Sequence, residues 1–167
     1  MHISEGIGLD IERMAEAGDK YAQACLGVMY QCGYGVNRND STTVVWYRKA
    51  AEQGHVNAQY NLGVIYKGGH GVDQNFSLAE EWYRKAAEQG HAGAQYLFGN
   101  IYYIGCGVDK NYSTALEWYR KAAEQGHAYA QHRLELMYEY GHGVDEHLSK
   151  AVEQGHADAQ YKLDRLT

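Results

Sequence analysis

A 36-residue period constrains the fold of this chain more than any other feature of its sequence. Copies of Ala-Glu-Gln-Gly-His begin at Ala51, Ala87 and Ala123. Copies of Trp-Tyr-Arg-Lys-Ala-Ala begin at Trp46, Trp82 and Trp118, and copies of Gly-x-Gly-Val begin at Gly33, Gly69, Gly105 and Gly141. Units that recur at such a length bury their apolar faces by stacking on their neighbours, so the sequence predicts a chain of stacked repeats.

Each period predicts two helices, A and B, joined by a glycine-rich loop. In one complete copy we predict helix A over residues 57–67 and helix B over residues 77–89. Apolar residues recur at helical spacing on one side of each helix: Ala58, Leu62, Ile65 and Tyr66 in helix A, and Ala79, Trp82, Tyr83 and Ala86 in helix B. The candidate helix-B caps are Asp73, Asn75 and Ser77 at its start and Gly90 at its end.

The repeat register predicts a single domain over residues 1–167. A partial helix at 9–18 precedes three full repeats at 19–54, 55–90 and 91–126, and a shortened repeat at 127–155 precedes a partial helix at 156–167. The shortened repeat lacks seven residues that correspond to Thr114–Arg120 and include the tryptophan. Seven residues make about two helical turns, so this deletion is expected to shorten helix B without turning its apolar side away.

The repeated motifs resemble those of the Sel-1-like repeat family, a relative of the tetratricopeptide repeat. The resemblance rests on three segments and covers the chain from about residue 9 onward: Leu62-Gly63-Val64-Ile65-Tyr66, Gly69-His70-Gly71-Val72 and Trp82-Tyr83-Arg84-Lys85-Ala86-Ala87. It implies an all-α fold, an α/α right-handed superhelical solenoid of stacked helix-turn-helix repeats, with A helices lining the concave face. It also implies an adaptor that assembles or regulates protein complexes, as bacterial members do in signalling, envelope or host-interaction pathways.

Comparison of the repeats with one another separates scaffold from surface. Positions that recur among the copies are predicted to form the core: Tyr30, Tyr66, Tyr102 and Tyr138, the three tryptophans, the loop glycines and valines, and the paired alanines. Gly63 stands beside Leu62 and is expected to let a neighbouring helix approach closely. Glu135 replaces that glycine in the shortened repeat.

Positions of helix A that change from copy to copy are predicted to bind a partner on the concave face. They are Asn57, Tyr60, Asn61, Val64, Lys67, Tyr96, Leu97, Asn100, Tyr103, His132, Arg133, Leu136 and Tyr140. The first copy varies at Tyr21, Ala24, Cys25, Val28 and Gln31. Tyrosine and arginine among apolar residues suit a protein-binding surface, although Tyr60 and Tyr96 are equally consistent with packing between repeats.

The sequence predicts no catalytic, metal or cofactor site. It contains no nucleophile motif, phosphate loop or zinc-ligand spacing, and the regular placement of His55, His91, His127 and His156 after helix B marks them as turn residues. A net charge of −6 argues against nucleic acid. No stretch is apolar enough to insert into a membrane, and without a signal peptide a cytoplasmic location is expected unless a leader has been removed.

Two functions remain open from the sequence. The first is a non-enzymatic adaptor whose concave face captures a helix or an extended peptide of a partner protein. The alternative is a homo-oligomer that assembles through its terminal repeats, where Tyr161, Leu163 and Leu166 are expected to stay exposed.

Overall fold

A computed structural model describes residues 3–144, and these residues form eight α-helices and no strands. The helices are α1 (Ile3–Glu16), α2 (Lys20–Cys32), α3 (Asp40–Glu52), α4 (Val56–Gly68), α5 (Phe76–Glu88), α6 (Ala92–Ile104), α7 (Tyr112–Glu124) and α8 (Ala128–Tyr140). The A helices are α2, α4, α6 and α8, and α3, α5 and α7 are B helices. The prediction of an all-α chain of helical repeats is confirmed.

The chain forms two compact units, Met1–His91 and Ala92–Thr167. In the first unit each of the helices α1 to α4 packs on the next one along the chain, up to α5. In the second unit α6 packs on α7, and α7 packs on α8. Neighbouring helices in sequence are thus neighbours in space within each unit, as stacked helix pairs require.

Side-chain caps explain where the helices begin. Asn39, Asn75 and Asn111 each precede a B helix and accept a hydrogen bond from the backbone N–H three residues later, at 2.9–3.0 Å. Of the three candidate caps predicted for α5, Asn75 is therefore the cap. Gly69 ends α4 in the left-handed conformation, and Gly90 follows α5 with φ +91°, as predicted.

The predicted inward sides of α4 and α5 form the core of the first unit. All eight predicted residues are buried: Ala58, Leu62, Ile65, Tyr66, Ala79, Trp82, Tyr83 and Ala86. Tyr47, Tyr83 and Tyr119, which follow the tryptophans, are among the largest side chains that are completely buried. A Cβ atom added at Gly63 would lie 2.5 Å from the Tyr83 ring, so this glycine gives room to a tyrosine of helix B in its own repeat.

Two predictions about the scaffold are wrong, and others concern residues that the structure does not describe. Helix α1 begins at Ile3 and not near residue 9, because Gly6 and Gly8 weaken a helix without ending it. Tyr138 is 46% exposed and not core, because the packing of α8 within residues 3–144 is mainly on α7 and buries the neighbouring Met137 instead. The end of the shortened repeat, the partial helix at 156–167, His156 and the residues Tyr161, Leu163 and Leu166 lie outside the described residues.

Candidate interaction groove

Helices α2 and α4 line a hollow of about 530 Å³ in the first unit. Its lining residues are Tyr21, Ala24, Cys25 and Val28 on α2, Asn57, Ala58, Tyr60 and Asn61 on α4, together with Tyr47, His55 and His91. A second hollow of about 290 Å³ is lined by Gln31, Arg38, Asp40, Thr43, Val64, Ile65 and His70. Gln31 and Val64 lie one helical turn beyond Val28 and Asn61, so the hollows follow each other along the same helices. We call the two hollows together the α2/α4 groove.

The buried Tyr47 forms the floor of the groove. Its ring packs directly against Gly27, where an added Cβ would lie 2.4 Å away, and its hydroxyl donates a hydrogen bond to Oε1 of Gln31 at 2.7 Å. Burial raises the pKa of Tyr47 to about 12, an effect partly offset by the Asn61 side chain, so the hydroxyl stays protonated at neutral pH. The floor is therefore an uncharged hydrogen-bonding surface.

Histidines that follow the B helices form one end of the groove. His55 begins α4, and its Nδ1 accepts a hydrogen bond from the backbone N–H of Ala58 at 3.1 Å. Its ring contacts Tyr21 edge-on at 5.6 Å, whereas the ring of His91 stacks on Tyr60 at 4.5 Å. The sequence identified these histidines as turn residues but did not reveal that His55 caps α4 or that both histidines line the groove.

The cap on α4 requires His55 to be neutral, since a protonated Nδ1 cannot accept a hydrogen bond. Burial, followed by the charge of Lys20, lowers the pKa of His55 below its ordinary value of 6.5. The unfolded chain therefore takes up the proton first. The stabilisation contributed by this cap is complete above about pH 6.5 and is lost as pH falls through the folded-state pKa.

We expect His55→Asp to reduce the acid sensitivity of the fold. Asp19 already caps α2 from the equivalent position, with its Oδ1 accepting from the backbone N–H of Ala22 at 2.8 Å. Because a helix cap contributes about 1 kcal/mol, the unfolding free energy lost between pH 7.5 and 5 should be smaller in the variant by up to about that amount. Urea titrations at both pH values measure it. Equal losses in variant and wild type would show that His55 does not cap α4 as an acceptor.

The second unit fills with aromatic rings the space that is open in the first. Tyr96 stands at the repeat position of Ala24, and its ring stacks on His127 at 4.9 Å and lies 5.8 Å from the Tyr119 ring. In the first unit the corresponding histidine is His55, and Ala24 leaves the space above it empty. The small side chain of Ala24 at this position thus helps to leave the first hollow open.

Tyr103 and Arg133 form a second cluster in this unit. The Tyr103 hydroxyl lies 3.2 Å from Nδ1 of His142, and the Arg133 guanidinium lies 5.6 Å from the centre of the Tyr103 ring. His142 also stacks flat on Tyr112 at 4.4 Å. The Tyr119 hydroxyl donates to Oδ1 of Asn100 at 2.6 Å. These contacts use both the ring and the hydroxyl of Tyr103 within the unit.

The predicted site residues fall into two groups. Asn57, Tyr60, Asn61 and Val64 line the α2/α4 groove together with the varying residues of α2, while Lys67 is exposed at the end of α4. The residues in the second unit are the α6 set of Tyr96, Leu97, Asn100 and Tyr103 and the α8 set of His132, Arg133, Leu136 and Tyr140. The prediction omitted Tyr47, His55 and His91. The 31-residue spacing from Tyr60 to His91 and from Tyr96 to His127 is a sequence signal for the histidine contacts.

Within residues 3–144 no three His, Cys, Asp or Glu side chains are grouped as metal ligands. Over the same residues no helix is both long and apolar enough to cross a membrane. Cys25, Cys32 and Cys106 are free thiols, and Cys25 lines the groove.

The four repeats match a known repeat family and are similar to solved structures. The Sel1 repeat profile matches residues 20–55, 56–91, 92–127 and 128–156. The structure is similar to a Sel1 repeat protein from Oxalobacter formigenes, with a TM-score of 0.74 and 41% identity over 87% of this chain and 61% of that one.

A second similar structure is c5321, described as a protective antigen present in uropathogenic Escherichia coli strains displaying an SLR fold. It gives a TM-score of 0.76 and 36% identity over 93% of this chain and 35% of its own. The chain thus spans less than two thirds of either protein. A comparison with curated protein sequences gives no match.

Proposed function

The chain belongs to the Sel1 repeat family, and on that premise we propose that it binds a short extended segment of a partner protein in the α2/α4 groove. Members of this family are generally protein-interaction modules and typically non-catalytic scaffolds. The proposal adds to that general role a place on the molecule and a form for the bound segment.

The open hollow between α2 and α4 is the observation that carries the proposal. The large apolar side chains exposed on these two helices are Tyr21, Val28 and Val64, and all three line the groove. Exposed apolar groups gathered in a concavity, and not scattered over the surface, are typical of a binding site.

The dimensions and polar groups of the groove favour an extended peptide. From Tyr21 to Gln31 the α2 wall runs for about 15 Å at 1.5 Å per residue. An extended chain rises about 3.3 Å per residue, so four or five residues fill this length. The side-chain amides of Asn57 and Asn61, one turn apart on α4, carry both donors and acceptors and match the alternating N–H and C=O groups of an extended backbone.

Replacing Ala24 with tyrosine should block the groove and leave the fold intact. The repeats already carry tyrosine at this position in Tyr60 and Tyr96, where the ring stacks on the following histidine. In Ala24→Tyr we expect the new ring to stack on His55 and occupy the first hollow. Aromatic pairs contribute about 0.5–1.5 kcal/mol, so the variant should be at least as stable as wild type.

The test uses peptides selected from a random display library on the wild-type chain. We expect their affinity for Ala24→Tyr to fall at least about tenfold, as measured by fluorescence anisotropy, because a loss of 1.4 kcal/mol is tenfold. Val45→Tyr is the matched control, since it adds the same ring at an exposed position of α3 outside the groove. Selected peptides that bind both variants as tightly as wild type would place the binding site elsewhere.

A further inference from the structure

Acidic residues are distributed unevenly between the helices of the first unit. The chain carries 21 Asp and Glu against 15 Lys and Arg. Yet α2 and α4, the walls of the groove, contain no Asp or Glu. The B helices α3 and α5 have the same length and carry Asp40, Glu52, Glu80, Glu81 and Glu88. The two helices that form the walls of the groove therefore carry no carboxylate, in a chain that is acidic overall.

A lysine stands at each end of this face. Lys20 begins α2, and its Nζ lies 5.3 Å from the ring centre of Tyr21, which lines the groove. Lys67 lies in the last turn of α4, one turn beyond Val64. Neither lysine makes an ion pair within residues 3–144, whereas Lys85 on α5 pairs with Glu81 at 2.7 Å. Both ammonium groups are therefore available to a ligand.

The carboxylates closest to the groove are already engaged. Asp40 lines the second hollow but accepts two hydrogen bonds from Arg38, at 3.0 and 3.3 Å, so this pair carries no net charge. Asp19 precedes Lys20, and its Oδ1 caps α2. Apart from Asp40, no Asp or Glu is among the residues that line the two hollows. No carboxylate that lines the groove is therefore left uncompensated, and Lys20 and Lys67 flank the lining residues.

We propose that the ligand of the α2/α4 groove is an acidic segment: an extended stretch of four or five residues with apolar or small residues in its middle and a carboxylate at each end. This inference rests on the proposed function and specifies the chemistry of its partner. The central residues face Tyr21, Val28 and Val64. The terminal carboxylates face Lys20 and Lys67.

The net charge of the whole chain does not oppose this assignment. At physiological salt, charges separated by more than about 8 Å are largely screened, so Lys20 and Lys67 act on a bound segment more strongly than distant carboxylates do. Each exposed ion pair changes affinity by at most about fivefold, so two together give selectivity while the apolar hollow supplies most of the affinity.

The peptide selection on the full wild-type chain also tests this inference. We expect the peptides whose binding depends on Ala24 to be enriched in Asp and Glu. Replacing both acids of a selected peptide with Asn or Gln should weaken its binding about tenfold, and raising the salt should narrow this difference. Lys20→Gln and Lys67→Gln should each weaken the acidic peptide by about threefold to fivefold.

Lys49→Gln is the matched control, because Lys49 also lies over an aromatic ring, that of Trp46 at 4.5 Å, but stands on α3 outside the groove lining. It should leave affinity unchanged, and circular dichroism should show equal helix content in all three lysine variants. Peptides that depend on Ala24 but are neutral or basic would overturn the acidic inference and leave the groove as the binding site. Peptides indifferent to Ala24→Tyr would remove the groove, and this inference with it.

Discussion

Trp82→Ala will lower the free energy of unfolding by about 3–5 kcal/mol. The indole is 8% exposed on α5, and Lys85 lies over its ring at 4.3 Å. Truncation removes apolar burial and leaves a cavity that the repeat cannot fully close. Since domains are stable by only about 5–15 kcal/mol, this loss is a large fraction of the total. Guanidinium titration followed by helix circular dichroism measures it.

The other two repeats provide graded controls for this substitution. Trp46 and Trp118 occupy the same repeat position and also carry a lysine over the ring, at 4.5 and 4.1 Å, but they are half-buried. We expect Trp46→Ala and Trp118→Ala to destabilise less than Trp82→Ala, because less area returns to water. A loss below about 1 kcal/mol in Trp82→Ala, or equal losses at all three sites, would contradict the burial described for α5.

Gly63→Ala will destabilise the protein by about 1–3 kcal/mol, the range typical of overpacking, although alanine is the better helix former. The added methyl carbon would lie 2.5 Å from two ring carbons of Tyr83, which is 1% exposed and cannot move into solvent freely. The steric cost therefore exceeds the gain of about 1 kcal/mol in helix propensity. Thermal and urea unfolding report the net effect.

The effect of Gly63→Ala on stability should change sign when the Tyr83 ring is removed. In a Tyr83→Ala background the methyl group meets no ring, so Gly63→Ala should become stabilising by up to about 1 kcal/mol. Gly6→Ala on α1 is the second control, because an added Cβ there has no atom within 4 Å. If Gly63→Ala destabilises equally with and without the Tyr83 ring, another contact must explain the glycine.

The repeat period predicts most of the fold but not the partner of each side chain. The helical spacing of apolar residues predicts the ends of α4 and α5 to within one residue, because this spacing is a local property of the sequence. That Gly63 faces Tyr83 depends on how two helices pack, which a local pattern does not encode. The pairing also explains Glu135: the shortened repeat lacks the residues equivalent to 114–120, so it has lost the tyrosine for which the glycine makes room.

The sequence predicts several residues that line the groove but not that a hollow is open between them. Variation among repeats identifies Asn57, Tyr60, Asn61 and Val64, which line it. The hollow itself arises because Ala24 is small at a position where Tyr60 and Tyr96 place rings over histidines. The volume of the hollow depends on all the side chains that line it, and these come from several helices, so one helix pattern does not predict it. His55 adds a role that residue statistics do not predict, since an imidazole nitrogen replaces the usual carboxylate or amide oxygen as helix cap.

Thiol protection tests the central claim, that the α2/α4 groove holds the partner, most directly. Cys25 and Cys32 are both exposed on α2, but only Cys25 is among the residues that line the groove. The measurement is the rate of alkylation by iodoacetamide at each cysteine, read by peptide mass spectrometry, with and without a saturating selected peptide. We predict that the peptide slows the reaction at Cys25 at least about tenfold and leaves Cys32 unchanged. Unchanged reactivity at Cys25, or protection at Cys106 of the second unit in its place, would contradict the account.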